Sequence, residues 1–276
     1  MEFYSIIDRG GFDVIIGNPP YVLYSKVKHQ YQLKSFITES SQNLFAYTLE
    51  RSLHLLGSNG EIGMIVPMSL VSTQNMTETS NLLIKNLSRS HFSHYSGNRN
   101  PSVLFEGVEM RLTIVLGQTG NSKTLSPAKL TTEFFRWNTE ARENLFPCIS
   151  YIDFSEQDIL QGLIPKLSGK SGQSVLEKLH SQRKSIRDYV SKNGRNEIYA
   201  HRIASYFVKC FDFIPYFFNE RDGIRKSEDY KILSLESHEE SVILCALINS
   251  GLFYFFYIAY SDAYHCGRDL CSRFSY

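Results

Sequence analysis

The stretch Phe12-Asp13-Val14-Ile15-Ile16-Gly17-Asn18-Pro19-Pro20-Tyr21 narrows the folds open to this chain more than any other. Phe12 to Ile16 is a short apolar run rich in β-branched residues, bounded by Gly10-Gly11 and Gly17, the pattern of a strand inside a sheet. Asn18-Pro19-Pro20-Tyr21 cannot extend that ladder, because neither proline has a backbone N–H to donate. The chain must leave the sheet through a stiff tip bearing one amide, carbonyls held by two rings, and one aromatic face. In an open α/β sheet such a tip stands at the carboxyl end of a strand, where these folds bind ligands.

Those groups suit one kind of chemistry. An amino group on an aromatic ring is a poor nucleophile because its lone pair is delocalised into the ring. Two acceptors that take both amino hydrogens pull the nitrogen toward a tetrahedral shape and aim the lone pair at an electrophile. Asn18 offers a side-chain carbonyl and Pro19 a backbone carbonyl. The Tyr21 ring can stack on a base, an interaction worth roughly 1–3 kcal/mol. Together they would hold a flipped-out nucleobase. The plainer alternative is a strand-ending Pro-Pro turn with Tyr21 packed as core.

Asp13 to Tyr21 resembles the catalytic motif of amino-group methyltransferases that use S-adenosylmethionine. It is most similar to adenine-specific DNA methyltransferases of restriction-modification and phage-defence systems, of the type IIG kind. The resemblance implies a catalytic tip of Asn18, Pro19, Pro20 and Tyr21. In it Asn18 and Pro19 bind the N6 amino group of a flipped adenine and Tyr21 stacks on the ring. The same tetrapeptide occurs in protein-glutamine and ribosomal-RNA guanine methyltransferases, so by itself it defines the reaction better than the substrate.

Later segments narrow the choice. Asn43-Leu44-Phe45-Ala46-Tyr47 opens a helix with Leu44, Tyr47, Leu49, Leu53 and Leu56 on its apolar side, closed by Gly57 and Gly60. Gly60 to Pro67 reads as a second buried strand, again stopped by proline. Both resemble the segments that follow the tip in DNA adenine methyltransferases. Val103-Leu104-Phe105-Glu106-Gly107-Val108, leading into Arg111 to Leu116, resembles the family's late motif. There an aromatic, here Phe105, contacts the adenine from a second side. A core phenylalanine ahead of a strand is the other reading of Phe105.

Strands are expected at Phe12–Ile16, Ile62–Val66, His91–Tyr95 and Leu112–Leu116, alternating with helices in the manner of a parallel α/β sheet. The polar break Gly117 to Ser122 marks the expected boundary. It divides the catalytic half of a methyltransferase domain (1–120) from a mixed α/β target-recognition domain (121–276), of which the chain need not hold the whole. In the second half Ser174-Val175-Leu176-Glu177 has the form of a capping box, opening a helix striped by Val175, Leu176, Leu179, Ile186, Tyr189 and Val190.

The net charge of +1 offers no overall attraction for nucleic acid, so any basic face must be local. One is visible: Lys166 to Lys209 holds ten Lys or Arg against Glu177, Asp188 and Glu197. Arg183, Lys184, Arg187 and Arg202 from this stretch are candidate phosphate contacts. Arg221, Arg225 and Lys226, around an Asp222-Gly223 turn, are candidates to reach a DNA groove. Ile198 to Arg202 and Leu247 to Tyr254 resemble the target-recognition region of the same enzymes. The implied partner is double-stranded DNA.

Other chemistries are poorly supported. Five cysteines with no Cys-x-x-Cys pair suit free thiols and a cytoplasmic location, and His265-Cys266 with Cys271 lacks a second close pair for a metal. Val242 to Tyr260 is apolar over a bilayer-spanning length, but Asn249-Ser250-Gly251 interrupts it, which argues for two buried helices or a helix and a turn and against a membrane partner. Gly169-Lys170-Ser171 fails as a phosphate loop because position 164 is Ile164. Met1 to Arg9 mixes charges without the apolar core of a secretory signal.

In the order of motifs this chain follows, a glycine-rich S-adenosylmethionine loop precedes the catalytic tip. Met1 to Gly11 is too short to supply that strand, loop and ribose-binding acid. The expected fold is therefore a partial Rossmann-like sheet lacking its cofactor half, with Asn18 alone beside the donor methyl. Its Phe12–Ile16 edge should be bare, and a companion chain or upstream segment should carry the missing half. The competing functions are a non-catalytic DNA-specificity module and a methyltransferase acting on RNA or protein glutamine.

Overall fold

A computed structural model describes residues 3–30, 32–98, 103–105, 108–120, 127–204, 206–221, 223–224 and 229–276. The chain forms two compact units, Met1–Gln173 and Ser174–Tyr276.

The first unit is built on a six-stranded sheet. Its elements in chain order are α1 (Tyr4–Asp8), β1 (Phe12–Gly17), α2 (Leu44–Leu55), β2 (Leu56–Pro67), α3 (Ser69–Ser72), α4 (Thr77–Asn86), β3 (Arg89–Tyr95), β4 (Leu112–Gln118), β5 (Ala128–Phe135) and β6 (Ile152–Asp153). Across the sheet they run β1-β2-β4-β3-β5-β6. All four expected strands are present, but the sheet is mixed rather than parallel. β1/β2 and β3/β5 are parallel pairs, whereas β4 is antiparallel to both β2 and β3, and β6 to β5. The sixteen residues between Tyr95 and Leu112 contain no helix among those described, so the chain returns directly from β3 into β4 without a crossover.

The unit also extends beyond the expected break at 120. β5 pairs with β3 in the same sheet, and the division between units falls after Gln173. The polar tract that looked like a linker is a connection between two strands of one sheet.

Period-two alternation sets the sheet's two faces. Ile62, Met64 and Val66 of β2, Phe92 of β3 and Val115 of β4 are buried with Phe45, Leu49 and Leu53 of α2 and Leu83 of α4 in one core. Ile15 of β1 packs onto this face, while Val14 and Ile16 point the other way and are 55% and 78% exposed. β1 pairs with β2 on one side, and among the described residues no strand pairs with its other side.

The second unit contains α5 (Lys170–His180, which begins just ahead of it), β7 (Asn196–His201), β8 (Cys210–Phe211), β9 (Phe218–Asn219), β10 (Gly223–Ile224), β11 (Tyr230–Leu235), α6 (His238–Ile248), α7 (Gly251–Tyr260) and α8 (Arg268–Arg273). Strands β11-β7-β8 form an antiparallel sheet and β9-β10 a hairpin, so this unit is a mixed α/β fold. α5 starts four residues before the expected Ser174, because the polar run Lys170 to Gln173 continues the helix toward its N-terminus. Ile186, Tyr189 and Val190 fall outside it. Ser185 caps a separate 3-10 turn by donating from its backbone N–H to Asp188 Oδ2 at 2.7 Å.

The apolar stretch 242–260 is divided between α6 and α7, bent by 63°, and no single described helix is long and apolar enough to cross a membrane. Ser237 and Glu240 make a capping box at α6, and the Ser250 hydroxyl accepts from Phe253 N at 3.2 Å to start α7. Phe253, Phe256, Tyr257 and Tyr260 of α7 are buried with Phe274.

Candidate active site

Residues 18–21 leave the sheet at the carboxyl end of β1. Pro19 is buried, Tyr21 half-buried, and Asn18 and Pro20 exposed. The Tyr21 hydroxyl donates to the carbonyl of Ile65 on β2 at 2.8 Å, and the ring meets Phe45 of α2 edge-on, centroids 6.4 Å apart. Burial pushes the phenol pKa up to about 12, so the group stays a neutral donor at physiological pH. The Asn18 side chain makes no hydrogen bond among the described residues. The tip thus joins two anchored groups to one unused amide.

The chain beyond the tip is tied to α2. Tyr24 N donates to Gln42 O and Leu44 N to Val22 O, both at 2.9 Å. Glu50 of α2, itself buried, accepts from Ile37 N and Thr38 N at 2.9 Å and from Thr38 Oγ1 at 2.7 Å. Burial pushes this carboxyl up, but those three donors and nearby His54 outweigh it and leave the pKa below the ordinary glutamate value.

Strand directions place a second segment at the same end of the sheet. β1, β2, β3 and β5 run one way and β4 the other, so the connection 96–111 from β3 to β4 hangs where the tip does. Its base is closed tightly: a Cβ on Gly97 would sit 2.1 Å from the carbonyl carbon of Met110, and Arg111 donates to Asn98 Oδ1 at 2.6 Å. Leu104 is buried with Tyr95, Leu112, Trp137 and Leu145, and Tyr21 and Val108 pack on this same cluster. Phe105, next to Leu104, is 36% exposed. The tip and the Phe105 segment therefore share one hydrophobic support, while Glu106 and Gly107 lie outside the described residues.

One supporting residue had no signal in the sequence. Arg142, in a 3-10 turn between β5 and β6, donates to the carbonyls of Leu104 at 2.6 Å and Val103 at 3.4 Å. It follows the expected domain boundary and belongs to no motif, so only the β3/β5 pairing reveals its place.

Of the candidate phosphate-contacting residues, Arg183 and Lys184 follow the end of α5 at His180, and Arg187 lies in the 3-10 turn Ile186–Asp188. Lys184 Nζ stands 5.3 Å from the centroid of the Tyr189 ring, and Arg187 faces Asp269 at 3.5 Å. Arg202 pairs with Asp229 at 3.1 Å. Arg221 is exposed beside the β9–β10 turn, where Gly223 takes a left-handed φ of +67°. Arg225 and Lys226 lie outside the described residues.

Residues 1–100 match the family model of the Eco57I restriction-modification methylase. No curated protein matches the chain. Among solved structures, the chain resembles the DrdV–DNA complex with TM-score 0.43 and 12% identity, over 70% of this chain and 23% of that one. It resembles a nuclease-deletion mutant of the type ISP restriction-modification enzyme LlaGI, in complex with a DNA substrate mimic, with TM-score 0.45 and 11% identity, over 73% and 22%. A third similarity is to the M protein of the type I restriction enzyme EcoKI, with TM-score 0.35 and 12% identity, over 91% and 49%. The chain spans less than half the length of each of these solved chains.

Proposed function

We propose that this chain is the substrate-gripping portion of a DNA methyltransferase of the restriction-modification type, acting on the N6 amino group of a flipped adenine. The observation that carries the reading is the tip itself. Asn18 presents an exposed, unpartnered amide beside buried Pro19, with Tyr21 pinned by Ile65 and Phe45, inside the stretch that matches the methylase family model. Asn18 Oδ1 and the Pro19 carbonyl take the two amino hydrogens. Tyr21 supports the base from one side and Phe105 contacts it from another. Pro20 keeps the tip stiff, since its fixed φ removes a backbone freedom.

S-adenosylmethionine is the methyl donor in this reading, and of the residues described Asn18 is the one this reading sets beside its methyl group. Two open cavities flank β1. One, of about 510 Å³, is lined by Val14, Ile16, Gly63, His91, Leu116 and Tyr151 among others. The other, of about 520 Å³, is lined by Phe3, Ile7, Phe12, Val14, Ile15 and Leu55 among others. Neither is lined by a tip residue, although Glu61, Arg89 and Gln118 line the first and Arg51 and Ser52 the second. Asn18 alone stands at the methyl end. A strand-bearing segment, upstream or on a companion chain, pairs with the open side of β1 and brings the donor's pocket.

The second unit is the target-recognition part, with Arg183, Lys184, Arg187, Arg202, Arg221, Arg225 and Lys226 as its contacts to duplex DNA, and the assembly works in the cytoplasm. Methyl transfer from labelled donor to DNA, with the chain alone and with a cofactor-binding segment added, tests the reading. Transfer only in the mixture, recovered as N6-methyladenine, supports it. Label on RNA or on protein glutamine, or DNA binding that the added segment never converts to transfer, favours the competing functions.

A further inference from the structure

The second unit carries a two-stranded ribbon whose apolar side is turned to solvent. β9 (Phe218–Asn219) and β10 (Gly223–Ile224) pair antiparallel, with Ile224 opposite Phe218 and Gly223 opposite Asn219. Side chains directly opposite one another lie on one face of an antiparallel pair, so Phe218 and Ile224 share a face. They are 56% and 72% exposed. The alternation runs back along the chain: Tyr216 is 75% exposed, while Phe217 and Asn219 on either side of Phe218 are half-buried. Among the described residues neither strand of the ribbon pairs with a third.

A ribbon of two strands is marginal in water by itself, and bare apolar side chains add to that liability. Strand pairing uses backbone groups, so polar side chains at positions 216, 218 and 224 would serve the ribbon equally well. The residues around them are basic on balance. Arg221 is exposed beside the turn, and Arg225 and Lys226 follow Ile224 in the sequence, against Glu220 and Asp222. That combination complements nucleic acid. The cations suit phosphates, a two-stranded ribbon has the width a DNA groove admits, and Phe and Ile are among the side chains that wedge between base pairs.

We propose that Phe218 and Ile224 form an apolar wedge that enters a groove of duplex DNA and partly unstacks one base step. Tyr216 continues the apolar strip, and Arg221 holds the flanking phosphates. The inference rests on the reading of the second unit as the target-recognition part. It adds a role that the charged residues of that unit do not fill. A wedge senses how readily a step unstacks, so flexible pyrimidine–purine steps such as TA are favoured over stiff A-tracts, with no hydrogen bond to a base edge.

The test measures binding of the full chain, by fluorescence anisotropy, to a matched duplex and to the same duplex with a central mismatch, where stacking is already weakened. 2-Aminopurine beside the mismatch reports the unstacking. The chain should bind the mismatched duplex about tenfold more tightly, because part of the unstacking cost is already met, and 2-aminopurine fluorescence should rise. Phe218→Ser combined with Ile224→Thr should bring the two affinities within about twofold and abolish the rise, with the salt dependence of binding unchanged. Phe218→Leu combined with Ile224→Met keeps an apolar wedge and should keep the preference. Arg221→Ala should lower the slope of log affinity against log salt by about one and also keep it. A preference that survives the Ser/Thr variant, or is absent from a parent chain that binds both duplexes, would overturn the wedge and leave the DNA reading standing. Binding to neither duplex would overturn both. Self-association in sedimentation velocity that the Ser/Thr variant abolishes, with DNA binding untouched, would make the ribbon a protein interface instead.

Discussion

Tyr21 and Ile65 are joined by a 2.8 Å hydrogen bond from a phenol hydroxyl to a strand carbonyl, which fixes the tip's aromatic residue to the neighbouring strand. The ring holds the tip in place, and in the proposed function it would also present a face to a base; substitution can separate the two. Tyr21→Phe removes the hydrogen bond and keeps the ring, so it should cost about 1 kcal/mol in unfolding free energy. Tyr21→Ala also removes the contact with Phe45 and should cost about 2–3 kcal/mol. In a reconstituted enzyme the phenylalanine variant should keep most of its turnover and the alanine variant little. Equal losses in both would assign Tyr21 to the fold alone.

Arg142 and the Leu104 carbonyl, 2.6 Å apart, couple the β5–β6 connection to the segment bearing Phe105. Trp137, the chain's single tryptophan, is buried in the same cluster as Leu104 and reports on it directly. Arg142→Ala should increase acrylamide quenching of Trp137 while costing no more than about 1 kcal/mol in global stability. Arg142→Lys should recover only part of the protection, because an ammonium lacks the fork that reaches two carbonyls.

The order of elements around the tip could be read from the chain, and the reason is local. Proline pairs end strands wherever they occur, glycines bound short β-branched runs, and Leu44, Leu49 and Leu53 declare a helix by spacing alone. What escaped was everything decided by distant pairing. β4 lies between β2 and β3 because of ladder partners such as Ile65 with Ile114, which no short window contains. The tract 117–122 has the composition of a linker although β5 returns to the same sheet. Ser174 has the spacing of a helix cap yet lies inside a helix, while the reciprocal Ser185–Asp188 bonds form five residues after that helix ends. Arg142 carried no signal because its partners are carbonyls, which every residue has.

His94 of β3 is enclosed between two hydroxyls, with Nδ1 3.1 Å from Thr113 Oγ1 and Nε2 3.0 Å from Thr131 Oγ1. Burial, aided by the charge of Lys166, holds its pKa well below the ordinary histidine value. The folded state therefore keeps it neutral, while the unfolded chain takes up a proton as pH falls below about 6.5. The associated stability is fully present above that pH and is lost as pH falls, by up to about 1.4 kcal/mol per pH unit. His94→Gln should flatten the acid limb of a stability–pH curve measured by urea unfolding. An unchanged limb would place the acid sensitivity elsewhere.

Ile16 and Leu116 meet over Gly63, where an added Cβ would lie 3.3 Å from one side chain and 3.5 Å from the other. They are 78% and 46% exposed, on a sheet face bordered by β1, whose outer side pairs with no strand among the described residues. Such an edge recruits other chains. Ile16→Lys should lower self-association of the isolated chain in sedimentation velocity and should also prevent productive pairing with a cofactor-binding segment. If the lysine variant pairs as well as the parent, the edge of β1 is not the docking surface.

The account rests on the Asn18 carbonyl as one of two acceptors for an adenine amine. The most direct measurement is kcat for N6-methyladenine formation by reconstituted enzyme carrying Asn18→Ala, alongside its affinity for the same duplex. Losing one preorganised hydrogen-bonding group at a reacting centre should lower kcat by about 10²–10³-fold, while affinity for the duplex stays within about twofold because phosphate contacts dominate binding. Turnover by the alanine variant within a few-fold of the parent would contradict the account.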